Sequence, residues 1–289
     1  MVGADAKAGR IPTVTGKTET PAGGSISVSG PMSTHRGTPA RITREARAAR
    51  GALEADLQGL PDLAGRLNTS MLDRLEAYVD LLLAANEHFN LTRVTQPIDV
   101  ARTHLLDALA ALPYLDDIAS SRAIDIGSGG GLPAIPIAIA RPDLSWLLVE
   151  SVGKKARALS DFVDELRVPA VQVVAERAET VGRDPGYRET AGLVTARAVA
   201  ALPVLAELAI PLLAPGGRLL AWKGPLTPHD GELRQGARAA ALLGGGPPEL
   251  LPAGIPQLGG HTFVRVAKRR PTPDHYPRRP GEPARRPLG

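Results

Sequence analysis

The apolar residues of this chain change their period once, near residue 120. Before that point, Leu72, Leu75, Val79, Leu82 and Leu83 in SMLDRLEAYVDLLLAANEHFN recur at helical spacing. PIDVARTHLLDALAALPYL opens on a proline suited to a first helical turn, and its Ile98, Leu105, Leu109 and Leu112 fall mainly on one face. Residues 51–115 therefore read as helices, a cap ahead of the main domain. From residue 122 short apolar strands alternate with helices: RAIDIG and a glycine-rich turn, SWLLVES and KKARALSDFVDEL, VQVVAE, GLVTARAV and an apolar helix, PGGRLLAWKG, and finally HTFVRVAK. This alternation, over roughly 150 residues, predicts an α/β fold with a mostly parallel sheet and helices on both faces. The last strand follows no clear helix, so it is expected to insert antiparallel.

The two ends lack this patterning. Residues 1–48 are rich in Gly, Ser, Thr, Pro and Ala and predict a disordered arm. Four segments result: the arm 1–48, the cap 49–116, the sheet domain 117–270 and an extended Pro/Arg-rich tail 271–289. Charge sharpens the division. Residues 1–50 hold eight basic and three acidic side chains, residues 265–289 eight and two, and the body between them carries a net negative charge. Basic arms on an acidic body can grip a phosphate backbone without reading sequence. Compositional drift explains part of it, since 28 of the 34 basic residues are arginine.

There is no cysteine, which excludes disulfides, thiolate metal sites and cysteine nucleophiles, and no metal is expected. The longest apolar tract, 198–215, carries Glu207 and two internal prolines and predicts a buried helix rather than a membrane span. The first twenty residues contain no apolar core of signal-peptide type. A cytoplasmic monomer with no membrane contact is expected.

The candidate chemistry sits in AIDIGSGGGLP, residues 123–133. In an open parallel sheet the ligand lies beyond the carboxyl ends of the strands, and glycines there let it approach bare backbone. Two ligand classes compete. Gly129, Gly131 and Ala134 fit the dinucleotide pattern G-x-G-x-x-G/A, a weak signal alone. Asp125, Gly127, Gly129 and Gly131 fit D-x-G-x-G-x-G, which resembles the loop of class I S-adenosylmethionine-dependent methyltransferases. A carboxylate at Asp125 would repel a pyrophosphate but suits a ligand with a cationic amine and a sulfonium. Glu150, at the end of the second strand, fits a carboxylate that accepts ribose hydroxyls in either class.

NLTRV (90–94), RTHLLDAL (102–109), DIGSGGGLPAIPIAI (125–139), RPDLSWLLVESVGKKARAL (141–159), TARAVA (195–200) and AWKG (221–224) together resemble the ribosomal RNA small-subunit methyltransferase G family, also called glucose-inhibited division protein B. The similarity runs from about residue 70 to 287, with DHYPRRPGEPARRPL similar to the end of many members. It implies a Rossmann-like class I methyltransferase sheet with a helical N-terminal cap, S-adenosyl-L-methionine as cofactor, and methyl transfer to N7 of a guanine in the 530 loop of 16S ribosomal RNA. It implies cofactor contacts at Gly127, Ser128, Leu132, Ala178, Glu179 and Arg197, and basic positions at the pocket mouth at Lys154, Arg177 and Lys223. The departures are mild: Ser128 and Gly130 stand where Thr and Pro are frequent, and Glu150 where Asp is common.

The residue chemistry agrees. Pyrimidine C5 methylation commonly needs a cysteine nucleophile, and exocyclic adenine methylation usually comes with N/D-P-P-Y/F; the chain has neither. Guanine N7 has a free lone pair and no proton, so no general base is expected and the work is positioning and electrostatics. Lys154, Arg177, Arg197 and Lys223 all fall at or after predicted strand ends and are candidate contacts to RNA phosphate or guanine O6. His104 reads as a core or capping histidine, and the resemblance implies that it helps close the site. The alternatives are a methyltransferase of another RNA or a small molecule, a non-catalytic RNA-binding relative, and a nicotinamide dehydrogenase, which Asp125 disfavours.

Overall fold

The computed structural model describes residues 42–118 and 120–289. Seven strands form one sheet: β1 (Arg122–Ile126), β2 (Ser145–Val149), β3 (Val171–Val174), β4 (Ala191–Arg197), β5 (Leu213–Lys223), β6 (Glu249–Pro252) and β7 (Thr262–Ala267), in the order β3-β2-β1-β4-β5-β7-β6. The first five pair in parallel, and β7 enters antiparallel between β5 and β6. The chain builds outward from β1 to β3, then returns to build from β4 on the other side. The reversal between β1 and β4 opens the crevice where such sheets bind ligands.

The helices are α1 (Arg44–Leu57), α2 (Pro61–Ala64), α3 (Thr69–Phe89), α4 (Pro97–Val100), α5 (Asp107–Leu109), α6 (Ala134–Ala140), α7 (Gly153–Leu166), α8 (Ala178–Val181), α9 (Leu202–Ala209), α10 (Gly231–Leu242) and α11 (Glu282–Arg285). Asn68 caps α3 by accepting from the Met71 amide at 2.9 Å, and Asn90 ends it in the left-handed conformation, one that asparagine tolerates. The predicted helix at 97–115 exists but is wound unevenly, with a π-turn at Ala101–Leu106 and a 3₁₀ turn at Leu112–Leu115. One apolar layer joins the cap to the sheet through Leu75, Tyr78, Val79 and Leu82 of α3, Leu159 and Phe162 of α7, and Trp146, Leu148 and Leu220 of the strands. The other face is covered by α9 and α10, with Ile124, Val194 and Leu219 beneath Leu205, Leu208 and Ala239. The cap is thus a cover on one sheet face and shares its core.

Three expectations need correction or completion. The arm was bounded at residue 48, but Thr43 caps α1 and residues 44–48 are helical; residues 1–41 lie outside the described residues. No α-helix comes directly before the last strand, as expected, but strand β6 ahead of it and helix α10 ahead of that are absent from the sequence reading; α10 packs so closely on α9 that a Cβ at Gly236 would overlap the Leu202 side chain. The Ala- and Gly-rich sequence of α10 hides its period. The tail is no extended appendage. Arg278 forms a two-pronged ion pair with fully buried Glu207 of α9 (2.8 and 2.5 Å), and Arg188 donates to the carbonyls of Thr272 and Tyr276. Of the apolar tract at 198–215, residues 202–213 are buried, with α9 ending at Ala209 and β5 starting at Leu213, while Ala198, Ala201 and Pro215 are exposed; Glu207 is made tolerable inside it by that arginine.

Candidate functional site

The turn after β1 is held from three sides. The amides of Gly127 and Ser128 donate to Val149 O of β2 (2.8 and 3.2 Å). Glu150 bridges two turns at once: Oε2 accepts from the Gly129 amide at 2.9 Å and Oε1 from the Val152 amide at 2.8 Å. From the cap, the buried Tyr78 hydroxyl donates to Gly130 O at 2.8 Å. Ser128 accepts on its carbonyl from the Gly131 and Leu132 amides, and its hydroxyl donates to Asp125 O at 3.2 Å. Gly127 has φ +67°, and a Cβ there would stand 2.9 Å from Val199 Cγ2, so bare backbone is required.

Beside this turn lies a cleft at the carboxyl ends of β1 and β2. It brings together Gly127, Ser151, Arg177, Ala178, Glu179 and Val199. Glu179 is buried, with Oε1 accepting from the Gly281 amide (2.8 Å) and Arg177 Nη2 (3.1 Å) and Oε2 unpartnered among the described residues. Burial pushes its carboxyl up, but the Gly281 amide and Arg177 outweigh this and hold it below its ordinary value. Asp125 is fully buried under the loop. Thr195 Oγ1 donates to its Oδ1 at 2.6 Å, and Oδ2 has no partner among the described residues. Burial pushes Asp125 up to about 7 against the pull of its hydrogen bonds and Arg197.

Next to it a second network joins cap and sheet. Arg197 Nη1, at the end of β4, donates to Thr103 O (2.8 Å) and to Asp107 Oδ2 (3.2 Å). Asp107 also pairs through Oδ1 with His261 Nδ1 (3.1 Å), and its carbonyl accepts from Trp222 Nε1 (2.9 Å). His104 Nε2 lies 2.7 Å from Thr92 Oγ1. Burial, and then the charge of Arg197, bring His104 down to about 4, so it is neutral at physiological pH.

The family model for rRNA small subunit methyltransferase G (GidB) matches residues 71–246. A ribosomal RNA small subunit methyltransferase G from Deinococcus deserti is 43% identical over 221 residues, 75% of this chain and 89% of that protein. One from Chloroflexus aggregans is 45% identical over 218 residues, 74% and 89% of the two chains, and one from Leuconostoc mesenteroides 38% over 235 residues, 80% and 97%. The chain belongs to the rRNA small subunit methyltransferase G family.

Within this methyltransferase the expected residues fall into four groups. Gly127, Arg177, Ala178 and Glu179 line the cleft. Asp125, Ser128, Gly129, Gly131, Leu132 and Glu150 build the turn beside it without lining it. Arg197 and Lys223 end the neighbouring strands and are already engaged: Lys223 Nζ donates to Glu232 Oε1 (2.6 Å) and Ala200 O (3.0 Å), half-buried. Lys154 at the start of α7 is exposed. Tyr78 and Asp107 are the residues that the sequence reading missed. Each looks like one more core-facing position of an amphipathic helix, and only the fold brings the Tyr78 hydroxyl to the glycine turn or Asp107 between Arg197 and His261. Among the described residues, no group of His, Asp and Glu is placed to hold a metal, and no helix is long and apolar enough to cross a membrane.

Proposed function

We propose that this chain transfers a methyl group from S-adenosyl-L-methionine to N7 of a guanine in the 530 loop of 16S ribosomal RNA. The carrying observation is the cleft itself, in a member of this family. Two buried carboxylate oxygens, Glu179 Oε2 in the cleft and Asp125 Oδ2 beneath the bare-backbone turn beside it, have no donor among the described residues, and that turn is tied to Glu150. Buried acceptors need donors. A ligand with an ammonium, an exocyclic amine and ribose hydroxyls offers them, and a pyrophosphate does not. Asp125 and Glu150 serve the amino-acid and ribose ends, Ala178 and Glu179 the base, and Gly127, Ser128, Gly129, Gly131, Leu132 and Arg197 shape the wall between them.

When bound, the cofactor supplies an electrophilic methyl group on a sulfonium. The protein's share is to hold the acceptor in line and keep water out, since guanine N7 has no proton to remove. His104 is neutral and buried and serves as part of the cover rather than as a base. Arg177 lines the cleft, Lys154 is exposed in the first turn of α7, and both meet RNA phosphate; Arg197 and Lys223 order the strand ends from which the acceptor is approached. The major groove of A-form RNA is closed to side chains, so the target guanine is unpaired or turned out of its stack. The reaction takes place in the cytoplasm on 16S RNA or the small subunit, with the chain acting as a monomer.

The test is substrate choice. Purified protein with methyl-labelled S-adenosylmethionine is offered small subunits, naked 16S RNA and tRNA. Label in small-subunit RNA alone supports the reading. Label only in tRNA or other RNA, with cofactor binding intact, moves the target elsewhere, and failure to bind the cofactor sinks the reading of the cleft.

A further inference from the structure

The cleft carboxylate Glu179 is positioned by the far end of the chain. Its Oε1 takes the Gly281 amide at 2.8 Å, a contact across 102 residues of sequence. Gly281 adopts φ +83°, a conformation that suits glycine and turns the chain there into α11. The segment on either side is fastened to the elements that carry the cleft. Arg278 places its side chain on both oxygens of Glu207, and its own amide donates to Glu207 Oε1 at 2.8 Å. Glu207 is fully buried and adjoins Leu208, which lines the cleft. Arg278 Nη2 also donates to Arg286 O at 2.8 Å, so one guanidinium closes the segment on itself and onto α9. Pro277 packs on Gly182, just after α8, where a Cβ would stand 3.1 Å from the proline ring. Arg188 donates to Tyr276 O (2.7 Å) and to Gly182 O (3.2 Å), joining the same two elements from the other side.

We propose that residues 276–286 form a strap that completes the cofactor site, with Arg278 and Glu207 as positioning residues for Glu179. Glu179 Oε1 takes two donors, the Gly281 amide and Arg177 Nη2; the arginine is exposed and can swing away, whereas the amide is tied down by the strap, so it fixes the carboxylate and leaves Oε2 for a ligand donor. Without the strap, Glu179 loses that amide and rotates or draws in water, and the free oxygen is no longer held in place. The inference rests on the cofactor reading of the cleft.

The test uses the full chain. Arg278→Ala is compared with the parent for S-adenosylmethionine affinity by calorimetry, well below either melting temperature, and for methyl transfer to small subunits. A lost charge-assisted anchor predicts about a tenfold weaker cofactor Kd and a matching rise in cofactor KM. The maximal rate at saturating cofactor and the KM for the subunit should stay unchanged. Arg278→Lys should recover part of the affinity, and Glu179→Gln with Arg278→Ala should cost less than the sum of the two. Arg285→Ala, on the exposed side of the strap, should bind cofactor as the parent does. If Arg278→Ala does not fold, Glu207→Gln reads the same contact with less disruption. Cofactor affinity within twofold of the parent in the folded variant, or additive double-variant effects, overturns the strap. Failure of the parent itself to bind S-adenosylmethionine overturns instead the reading on which the strap rests.

Discussion

Asp125 of β1 and His104 of the cap are both buried and shifted by burial, with opposite consequences for pH. Asp125 is raised from 3.8 to about 7, so the folded chain holds a proton there that the unfolded chain has lost. Its contribution to stability is present at acid pH and disappears as the pH rises towards 7. Asp125→Asn removes that cost. Melting curves should show the variant gaining on the parent as pH climbs from about 4 to about 7, with a constant gap above. A gap independent of pH contradicts a buried proton. A cationic ligand beside Asp125 favours its ionised form, so cofactor affinity should also strengthen with pH up to about 7, with proton release visible in calorimetry in buffers of different ionisation heat. His104 runs the other way: its fall from 6.5 to about 4 means that acid protonates the unfolded chain first. Its share of stability is complete above 6.5 and lost as pH falls towards 4. His104→Gln should flatten the melting temperature across that window, and an unchanged slope would place the acid sensitivity elsewhere.

At the scale of elements, the cap works through one hydroxyl. Tyr78 of α3 donates to Gly130 O from a fully buried position, and Tyr78→Phe leaves that carbonyl unpaired. The expected cost is about 1–2 kcal/mol in denaturant unfolding, with weaker cofactor binding because the turn loosens. An unaltered cofactor Kd would mean that the loop holds itself. These same elements show what the sequence made legible. The parallel strands, the glycine turn and Glu150 could be read because strand alternation and glycines at a strand end have local physical causes. The antiparallel entry of β7 was legible too, because no α-helix separates it from the strand before it; α10 and β6 were not, α10 being too rich in alanine to show a period and β6 only four residues long. Tyr78, Asp107 and Arg278 act through contacts 52, 90 and 71 residues away in sequence, and no periodicity reports such pairings. Arg278 in particular sits in a Pro- and Arg-rich segment that has the composition of a free tail, and only the buried Glu207 makes it structural.

For the whole molecule, the sheet provides a fixed edge, the cap covers one face and holds the turn, and the C-terminal segment reaches back to Glu179 of the cleft. The basic ends and the acidic body give this layout a polarity that a polyanion would sense. Binding to 16S RNA should therefore weaken steeply with salt, and Lys154→Ala should lower the slope of log K against log salt by about one. Methyl transfer is the most direct measurement of all. Unmodified small subunits are incubated with labelled S-adenosylmethionine and the parent or Asp125→Ala protein, and the modified nucleotide is mapped by cleavage at N7-methylguanine. The account predicts one labelled guanine, in the 530 loop of 16S RNA, and its loss in the variant. Label at another atom or another nucleotide, or label undiminished in Asp125→Ala, would contradict it.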